Sequence, residues 1–361
     1  MRADVIVHRG RLRNLARRLK PIYSDNALAA RYQERDTPQM ADNTNPITAF
    51  DRLNASILMA VTPEYAKVKA ARAASGVSLS ARAGPFAMKP EFQTISGKRL
   101  RFARGGREGA PVVLMLSPLP QSIIAFDQIW PVLADQFRVV ALDLPGFGQS
   151  EGGYDVMNFE TQSRIFEEFI DTLKLDELHI VGPDVGMPVA LHYVIHRKHR
   201  AKSLIIGDGP CVLPTANGSI INKAVESAFW RMVFRTAGAG AFVEGGNRLA
   251  YVNYQPSNEE VADYVASYSG RIGPVTEWFR NYQENLATID PQLADTDLPV
   301  KIFWGDLDQF LLVDTAHRLH GRLKRSELQI LETCGHFSYQ DRHEEFAKMV
   351  IDWVRGGYGE I

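Results

Sequence analysis

The sequence predicts an α/β fold in which a mostly parallel central sheet carries helices on both faces. Two observations lead to this prediction. Short, continuous apolar runs recur through residues 91–361, and stretches with helical spacing separate them. Strands that are buried on both faces read as such runs, and the helices between them connect parallel neighbours. A third observation adds a helical cap: residues 210–297 are helix-rich and interrupt the alternation before the last core strands.

The elements of the predicted core occupy residues 91–209 and 298–361. Residues 92–106 predict two strands joined by a tight turn at Gly97. Later strands are predicted at 111–117, 137–145, the apolar run that ends at Gly182, 201–209, 300–308 and 328–336. Helices are predicted at 126–134, 159–173, directly after the run at Gly182, and near 313–323 and 344–354.

The residues before the core fall into two predicted parts. Residues 1–45 are polar and irregular, and the first 20 carry seven Arg or Lys and one acid, so we expect a basic, disordered arm. A targeting segment, or an extension upstream of a true start at Met40, would have the same composition. Residues 46–90 predict a helical extension and a linker, since residues 47–75 have helical spacing that breaks near Pro63.

The composition of the arm makes its removal a test. Because residues 1–39 offer little apolar surface to bury, a chain that begins at Met40 is expected to keep its melting temperature. Thermal unfolding of the two chains side by side measures this. A fall of many degrees would show instead that the arm packs on the folded domain.

The overall composition excludes several classes of protein. The 361 residues carry a formal net charge of −1, which argues against nucleic acid as the main partner. Cys211 and Cys334 are too few for a disulfide framework and fit a reducing, cytoplasmic location. No apolar run approaches the roughly 20 residues of a membrane span.

The segment Gly182-Pro183-Asp184-Val185-Gly186 joins an apolar run to a stretch of small residues with helical spacing. This is the pattern of a nucleophile elbow, a tight strand-to-helix turn that lifts one side chain above the sheet and into the field of a helix N-terminus. Here the lifted residue is the acid Asp184. An ordinary Asp N-cap would give the same short pattern.

Three further landmarks accompany the elbow in a fixed order. They are Ser117-Pro118-Leu119-Pro120, the loop Asp143-Leu144-Pro145-Gly146-Phe147-Gly148-Gln149-Ser150, and the pair formed by Gly305-Asp306-Leu307-Asp308 and Gly335-His336-Phe337. Over residues 90–356 the chain therefore resembles the α/β-hydrolase superfamily. An Asp at the elbow is similar to the epoxide hydrolases and haloalkane dehalogenases of that superfamily.

The resemblance implies a role for each landmark. Asp184 would attack an sp3 carbon and form an alkyl ester, and His336 would activate the water that hydrolyses it. Asp308 would orient His336, with Asp208 as an alternative acid. The backbone N–H groups of Leu119 and Val185 would form the oxyanion hole. The cap would supply substrate-binding side chains, for which the candidates are Trp230, Tyr251, Tyr254, Trp278, Phe279 and Tyr282.

Departures from the pattern keep the substrate open. Val185 stands where dehalogenases place a halide-binding Trp, and Phe279 stands where epoxide hydrolases have a Tyr in W-Y-R. An epoxide hydrolase is the first hypothesis, a haloalkane dehalogenase the second, and a non-catalytic ligand-binding protein of the same fold the third. The expected partners are a small apolar substrate and water. No cofactor or metal is implied, since His192 and His196 lack a third ligand and the Glu of H-E-x-x-H.

Overall fold

The computed structural model describes residues 45–75, Arg82 and residues 84–361. Apart from Asn45, the predicted disordered arm lies outside these residues, as does most of the segment from 76 to 83. In the described part of the chain, no helix is both long enough and apolar enough to cross a membrane.

One mixed sheet forms the centre of the molecule and confirms the predicted α/β fold. Its spatial order is β1-β2-β4-β3-β5-β6-β7-β8, in which β2 runs antiparallel to both of its neighbours and every other pair is parallel. The strands are β1 (Glu91–Ile95), β2 (Lys98–Gly106), β3 (Val112–Leu116), β4 (Arg138–Leu142), β5 (Leu178–Pro183), β6 (Ala201–Gly207), β7 (Val300–Gly305) and β8 (Ser326–Leu331).

Helices cover the sheet and precede it. Those outside the stretch between β6 and β7 are α1 (Ala49–Ala60), α2 (Tyr65–Ala74), α3 (Trp130–Ala134), α4 (Phe159–Thr172), α5 (Gly186–His196), α11 (Asp314–His320), α12 (Ser338–Asp341) and α13 (His343–Val354). Every residue of the inner strands β3, β5 and β7 is buried, as expected for strands covered on both faces.

The inserted segment, residues 208–299, joins β6 to β7 and is helical. It contains α6 (Ser219–Glu226), α7 (Ala228–Ala250), α8 (Asn258–Tyr268), α9 (Ile272–Arg280) and α10 (Tyr282–Leu286). Helix α7 bends at Gly238, whose φ of +85° lies in the left-handed region that favours glycine. The inserted segment lies between two core strands, and the cap predicted at 210–297 stays a prediction.

Several predicted strands are shorter than expected, and the difference matters for the site. The strands predicted to reach residues 145, 209, 308 and 336 end at Leu142, Gly207, Gly305 and Leu331. The residues that follow belong to loops, because the backbone leaves the extended conformation where it turns a side chain away from the end of the sheet. Asp208 illustrates the point, since its φ of +48° is incompatible with extended backbone.

The helix predicted at 126–134 is also corrected. A 3₁₀ turn at Ile123–Phe126 comes first, and α3 begins only at Trp130. Pro131 explains the late start, because a proline is tolerated in the first turn of a helix but not in its interior.

A buried ion pair links the core to the inserted segment. Arg101 on β2, which is 5% exposed, donates two hydrogen bonds to Asp263 on α8, at 3.0 and 2.8 Å. The same carboxylate accepts a hydrogen bond of 2.9 Å from Gln149 and another of 2.5 Å from the Ser122 hydroxyl. Core and inserted segment thus share one satisfied polar cluster, which fixes α8 over the edge of the sheet.

Candidate active site

Asp184 occupies the turn between β5 and α5, as the elbow pattern predicts. Its φ of +48° is left-handed, which is unusual for a residue other than glycine. Both neighbouring glycines are required by close approach: a Cβ on Gly182 would lie 2.8 Å from the carbonyl oxygen of Gly186, and one on Gly186 would lie 2.8 Å from the Cβ of Leu116. The strained turn therefore aims the carboxylate away from the sheet.

Two groups face the oxygens of the Asp184 carboxylate. The backbone N–H of Leu119 donates to Oδ2 at 2.6 Å, and Nε2 of His336 lies 3.7 Å from Oδ1. Among the described residues, the N–H of Val185 has no hydrogen-bond acceptor, and it stands at the N-terminal end of α5. The two predicted oxyanion donors thus flank the carboxylate, one engaged with it and one available.

His336 and Asp308 meet at the ends of neighbouring strands. Nδ1 of His336 lies 2.8 Å from Oδ2 of Asp308, and Oδ1 of Asp308 accepts hydrogen bonds from the N–H groups of Phe310 and Leu311 at 2.8 and 3.0 Å. These bonds fix the carboxylate. It in turn holds the imidazole with Nε2 toward Asp184, the orientation a base needs.

The charge state of His336 follows from its surroundings. Burial lowers the pKa of the imidazole, but the carboxylates of Asp308 and Asp184 outweigh burial and raise the pKa well above its ordinary value. These surroundings favour the imidazolium form of His336 in the resting site. It balances one of the two carboxylates that contact it.

Asp208, the alternative acid, does not contact His336. Its carboxylate oxygens accept hydrogen bonds from the N–H of Gly305, at 3.1 Å, and from the hydroxyl of Ser338. Burial, followed by repulsion from Asp308, raises the pKa of Asp208 well above its ordinary value. Of the two acids, Asp308, which follows β7, is the one whose carboxylate lies within hydrogen-bond distance of the His336 imidazole.

The loop after β4 supports the oxyanion loop. Asp143 is fully buried, and its two oxygens accept hydrogen bonds from the N–H groups of Ile123 at 2.7 Å and Gln149 at 2.9 Å. Burial raises the pKa of Asp143 to about 6, against the opposing effect of Arg101. A Cβ on Gly148, whose φ is +50°, would collide with this carboxylate, which accounts for the second glycine of the loop.

A cavity opens above Asp184 and His336. Its empty space, including open solvent at the mouth, amounts to about 850 Å³. Apolar side chains dominate the lining. The lining residues are Leu58, Met59, Leu119, Pro120, Asp184, Val185, Pro210, Ile220, Ile221, Ala224, Phe234, Phe242, Gly245, Gly246, Trp278, Phe279, Tyr282, Phe310, Leu311, His336 and Phe337. A few charged groups at the base of an apolar cavity are typical of a small-molecule site.

Three of the six predicted substrate-binding residues line this cavity: Trp278, Phe279 and Tyr282. The hydroxyl of Tyr282 donates to Oδ1 of Asn217 at 2.9 Å, and burial raises its pKa, so it remains a proton donor. No described residue accepts a hydrogen bond from the indole N–H of Trp278. The cavity thus contains two side-chain donors besides His336.

The other three candidates lie outside the lining. Tyr251 hydrogen-bonds through its hydroxyl to Gln121, and Tyr254 donates to Glu260 at 2.9 and 2.8 Å. Trp230 packs its ring 5.3 Å from the ammonium group of Lys223.

The prediction that these three contact substrate is corrected for a physical reason. A buried hydroxyl must find a partner, and the two tyrosines find theirs in a polar cluster behind the oxyanion loop. Sequence reasoning also missed Leu58 and Met59, which line the cavity from α1, ahead of the sheet.

The helix after the elbow carries His192 and His196, whose rings lie 4.4 Å apart. Nδ1 of His192 lies 2.8 Å from the hydroxyl of Ser163, and Nε2 of His196 lies 2.8 Å from the carbonyl oxygen of Thr288. Across residues 45–75, 82 and 84–361, no three His, Cys, Asp or Glu side chains converge as metal ligands.

Comparison with known proteins identifies the family. The model of the alpha/beta hydrolase fold matches residues 111–342, well over half of the chain. The chain belongs to the α/β-hydrolase family. It is a hydrolase of that fold.

Similar proteins of this family differ in substrate. The chain is 28% identical over 277 residues to the soluble epoxide hydrolase of Corynebacterium sp. (strain C12), covering 72% of this chain and 93% of that one. It is 22% identical over 262 residues to the 2-hydroxy-6-oxononadienedioate/2-hydroxy-6-oxononatrienedioate hydrolase 1 of Pseudomonas putida, covering 68% and 89%.

Among solved structures, the haloalkane dehalogenase DbeA-M1 loop variant from Bradyrhizobium elkanii is similar. It superposes with a TM-score of 0.64 at 22% identity, covering 74% of this chain and 97% of that one. At such identity the superposition shows the fold.

Proposed function

We propose that this hydrolase opens epoxides through a covalent alkyl ester on Asp184. The observation that carries the proposal is that two groups face the Asp184 carboxylate and a third holds one of them in place. The Leu119 N–H holds Oδ2 at 2.6 Å, Nε2 of His336 faces Oδ1 at 3.7 Å, and Asp308 fixes the far side of the imidazole at 2.8 Å. A carboxylate in this position can act as a nucleophile, and water then needs the neighbouring base.

In the first step an oxygen of Asp184 forms a bond to an epoxide carbon. The C–O bond of the ring breaks, and its electron pair passes to the epoxide oxygen, which takes up a proton. Tyr282 is the donor we assign to this oxygen, because its side chain lines the cavity and its hydroxyl, which donates to Asn217 in the free site, would turn to the epoxide oxygen. The products of this step are an alkyl ester on Asp184 and a neighbouring hydroxyl on the substrate.

The charge of His336 links the first step to the second. Ester formation removes the negative charge of Asp184, which is one of the two charges that raise the pKa of the imidazole. The pKa of His336 then falls, and the proton that the imidazole releases replaces the one that Tyr282 gave to the epoxide oxygen. The imidazole is neutral when the second step needs a base.

In the second step His336 removes a proton from water, and the water oxygen attacks the carbonyl carbon of the ester. The N–H groups of Leu119 and Val185 stabilise the resulting oxyanion. Collapse breaks the bond between the carbonyl carbon and the ester oxygen, which came from Asp184, and this oxygen leaves with the substrate. It takes the proton that remains on the added water oxygen and becomes the second hydroxyl of a diol. Asp184 returns as a carboxylate and His336 as an imidazolium ion, so atoms and protons balance over the cycle.

The inserted segment acts in this proposal as a cap that chooses the substrate. Its residues Phe234, Phe242, Trp278 and Phe279 contribute apolar wall, while the charged groups come from loops of the core. Chemistry and substrate choice are thereby assigned to different parts of the chain.

Replacing Tyr282 by Phe tests the assigned proton donor. Loss of a positioned acid typically costs about 10² in rate or more, so kcat for epoxide opening is expected to fall by about that factor. Tyr154→Phe serves as a control, because Tyr154 is 53% exposed and lies outside the cavity lining. Equal kcat values for the Tyr282 variant and the original enzyme would remove Tyr282 as the donor.

A haloalkane dehalogenase is the second candidate, and one observation favours it. The indole N–H of Trp278 lines the same cavity with no acceptor among the described residues, and such a group can hold a leaving halide. Against it stands Val185, next to the nucleophile, which has no side-chain donor.

Turnover against matched panels of epoxides and haloalkanes tests the proposal. Epoxide hydrolysis releases neither halide nor a proton, whereas dehalogenation releases one of each, so a halide electrode and a pH indicator separate the two reactions. Diol formation without acidification is the expected result. Halide release with acidification would favour the second candidate, and binding of both panels without turnover would favour a ligand-binding protein.

A further inference from the structure

Helix α1 lies ahead of the sheet in sequence and yet forms part of the cavity wall. Leu58 and Met59 line the same space as Asp184 and His336, and they are only 5% and 6% exposed. The terminal methyl carbon of Met59 lies 3.7 Å from where a Cβ on Gly245 of α7 would sit. The wall at this point therefore comes from neither the core nor the inserted segment.

The two faces of α1 differ in surroundings. Leu58 and Met59 point into the molecule, whereas Phe50, Leu53 and Ile57 are 66%, 57% and 57% exposed. Helical periodicity explains the division, since residues three to four apart share a face and intervening residues lie elsewhere. Leu53 and Leu58 are thus identical side chains on one helix, one outside the cavity and one in its wall.

Contacts at the start of the inserted segment hold α1 in place. The carboxylate of Glu64, just after α1, accepts hydrogen bonds from the N–H and hydroxyl of Ser219 at 2.7 and 2.6 Å. Ser219 opens α6, so Glu64 satisfies one of the free N–H groups of that helix end. The ammonium group of Lys223 donates to the carbonyl oxygen of Val61.

A second set of contacts joins α2 to the end of α7. Arg72 donates to the carbonyl oxygens of Tyr251, at 2.9 Å from Nε, and of Arg248, at 3.1 Å. The next carbonyl in that turn, Ala250, accepts the backbone N–H of His336 at 2.8 Å. The helix end that Arg72 stabilises therefore also supports the loop of the proposed base.

From these contacts we propose that Leu58 and Met59 are specificity-determining residues, which limit the length of the apolar group that fits above Asp184. The choice of epoxides as test substrates rests on the proposed function. The size limit itself rests only on the shape of the cavity. Anchored through Glu64 and Arg72, α1 closes the cavity on the side that core and inserted segment leave open. Shortening Leu58 lengthens the apolar space, and enlarging Met59 reduces it.

The test compares Leu58→Ala with its matched control Leu53→Ala on straight-chain terminal epoxides. Removing wall atoms in a hydrophobic pocket changes discrimination by about 10-fold or more, so the kcat/KM ratio of epoxydecane to epoxybutane is expected to rise about 10-fold in Leu58→Ala. Leu53→Ala is expected to keep the original ratio. An unchanged ratio in Leu58→Ala, with the enzyme active, would overturn the proposal.

A second variant distinguishes a change in cavity size from a general loss of stability. A second readout, which measures binding, tests the size limit without turnover. Met59→Phe adds volume to the same wall and is expected to shift the ratio in the opposite direction. If no epoxide is turned over, displacement of a bound apolar fluorophore by butanol and decanol measures the same preference. A shift toward decanol in Leu58→Ala alone supports the size limit. The same decanol-to-butanol preference in all variants would overturn it, independently of the reaction.

Discussion

A single turnover in heavy-oxygen water, with enzyme in excess over substrate, is expected to place the label in the carboxylate of Asp184. The reason lies in the second step: water attacks the ester carbonyl, so its oxygen stays in the carboxylate when the original Asp184 oxygen leaves with the product. Mass spectrometry of the peptide that contains the elbow measures the label. Label in the first product, with none in Asp184, would exclude the covalent route.

Replacement of Asp184 complements the labelling experiment. Asp184→Ala removes the nucleophile but leaves the oxyanion donors, and loss of such a group typically costs about 10⁴ in kcat or more. The variant is expected to bind substrate and release no diol. Because Asp184 is 8% exposed and lies on the cavity, its removal is not expected to unfold the protein.

His336→Gln is expected to trap the alkyl ester. Attack by Asp184 needs no base, because a carboxylate is itself the nucleophile and gives up no proton when it attacks. Hydrolysis of the ester does need one. The variant should therefore react once and accumulate the mass of one substrate on the elbow peptide. Product release at the original rate would show that another residue is the base.

Asp308→Asn tests the acid that holds the proposed base, and Asp208→Asn is its matched control. The amide keeps the volume of the carboxylate but reverses the hydrogen bond to Nδ1 of His336, which favours the wrong tautomer; in a comparable triad this costs about 10⁴ in kcat. Ester hydrolysis is expected to slow, with the adduct again visible. Asp208→Asn is expected to slow it far less, since Asp208 has no hydrogen bond to His336 among the described residues.

Much of the fold could be predicted from local signals. The buried runs around Val113, Ile180 and Ile302 are long enough to be strands and too short to be separate helices, and their alternation with helices leaves few topologies. The elbow could also be predicted, because the close approach of neighbouring atoms at positions 182 and 186 requires glycine there and leaves a recognisable sequence pattern.

The cavity wall could not be predicted in the same way. Tyr251 and Tyr282 are both buried aromatic residues with helical neighbours, but only Tyr282 faces the cavity. Which tyrosine faces the cavity depends on how α7 and α10 are rotated about their axes when they pack, and no local sequence pattern predicts this rotation. The same holds for Leu58, whose partners lie far along the chain, and for Asp208 and Asp308, which both follow a strand end.

The ion pair between Arg101 and Asp263 limits how this molecule can be recombined. Arg101 belongs to the sheet and Asp263 to the inserted segment, and both are shielded from water. A chimera that takes residues 208–299 from a protein lacking the acid would leave the buried guanidinium of Arg101 without its bidentate partner and with only Asp143, 3.6 Å away, to balance its charge. Exchange of this segment therefore requires that position 101 be exchanged with it.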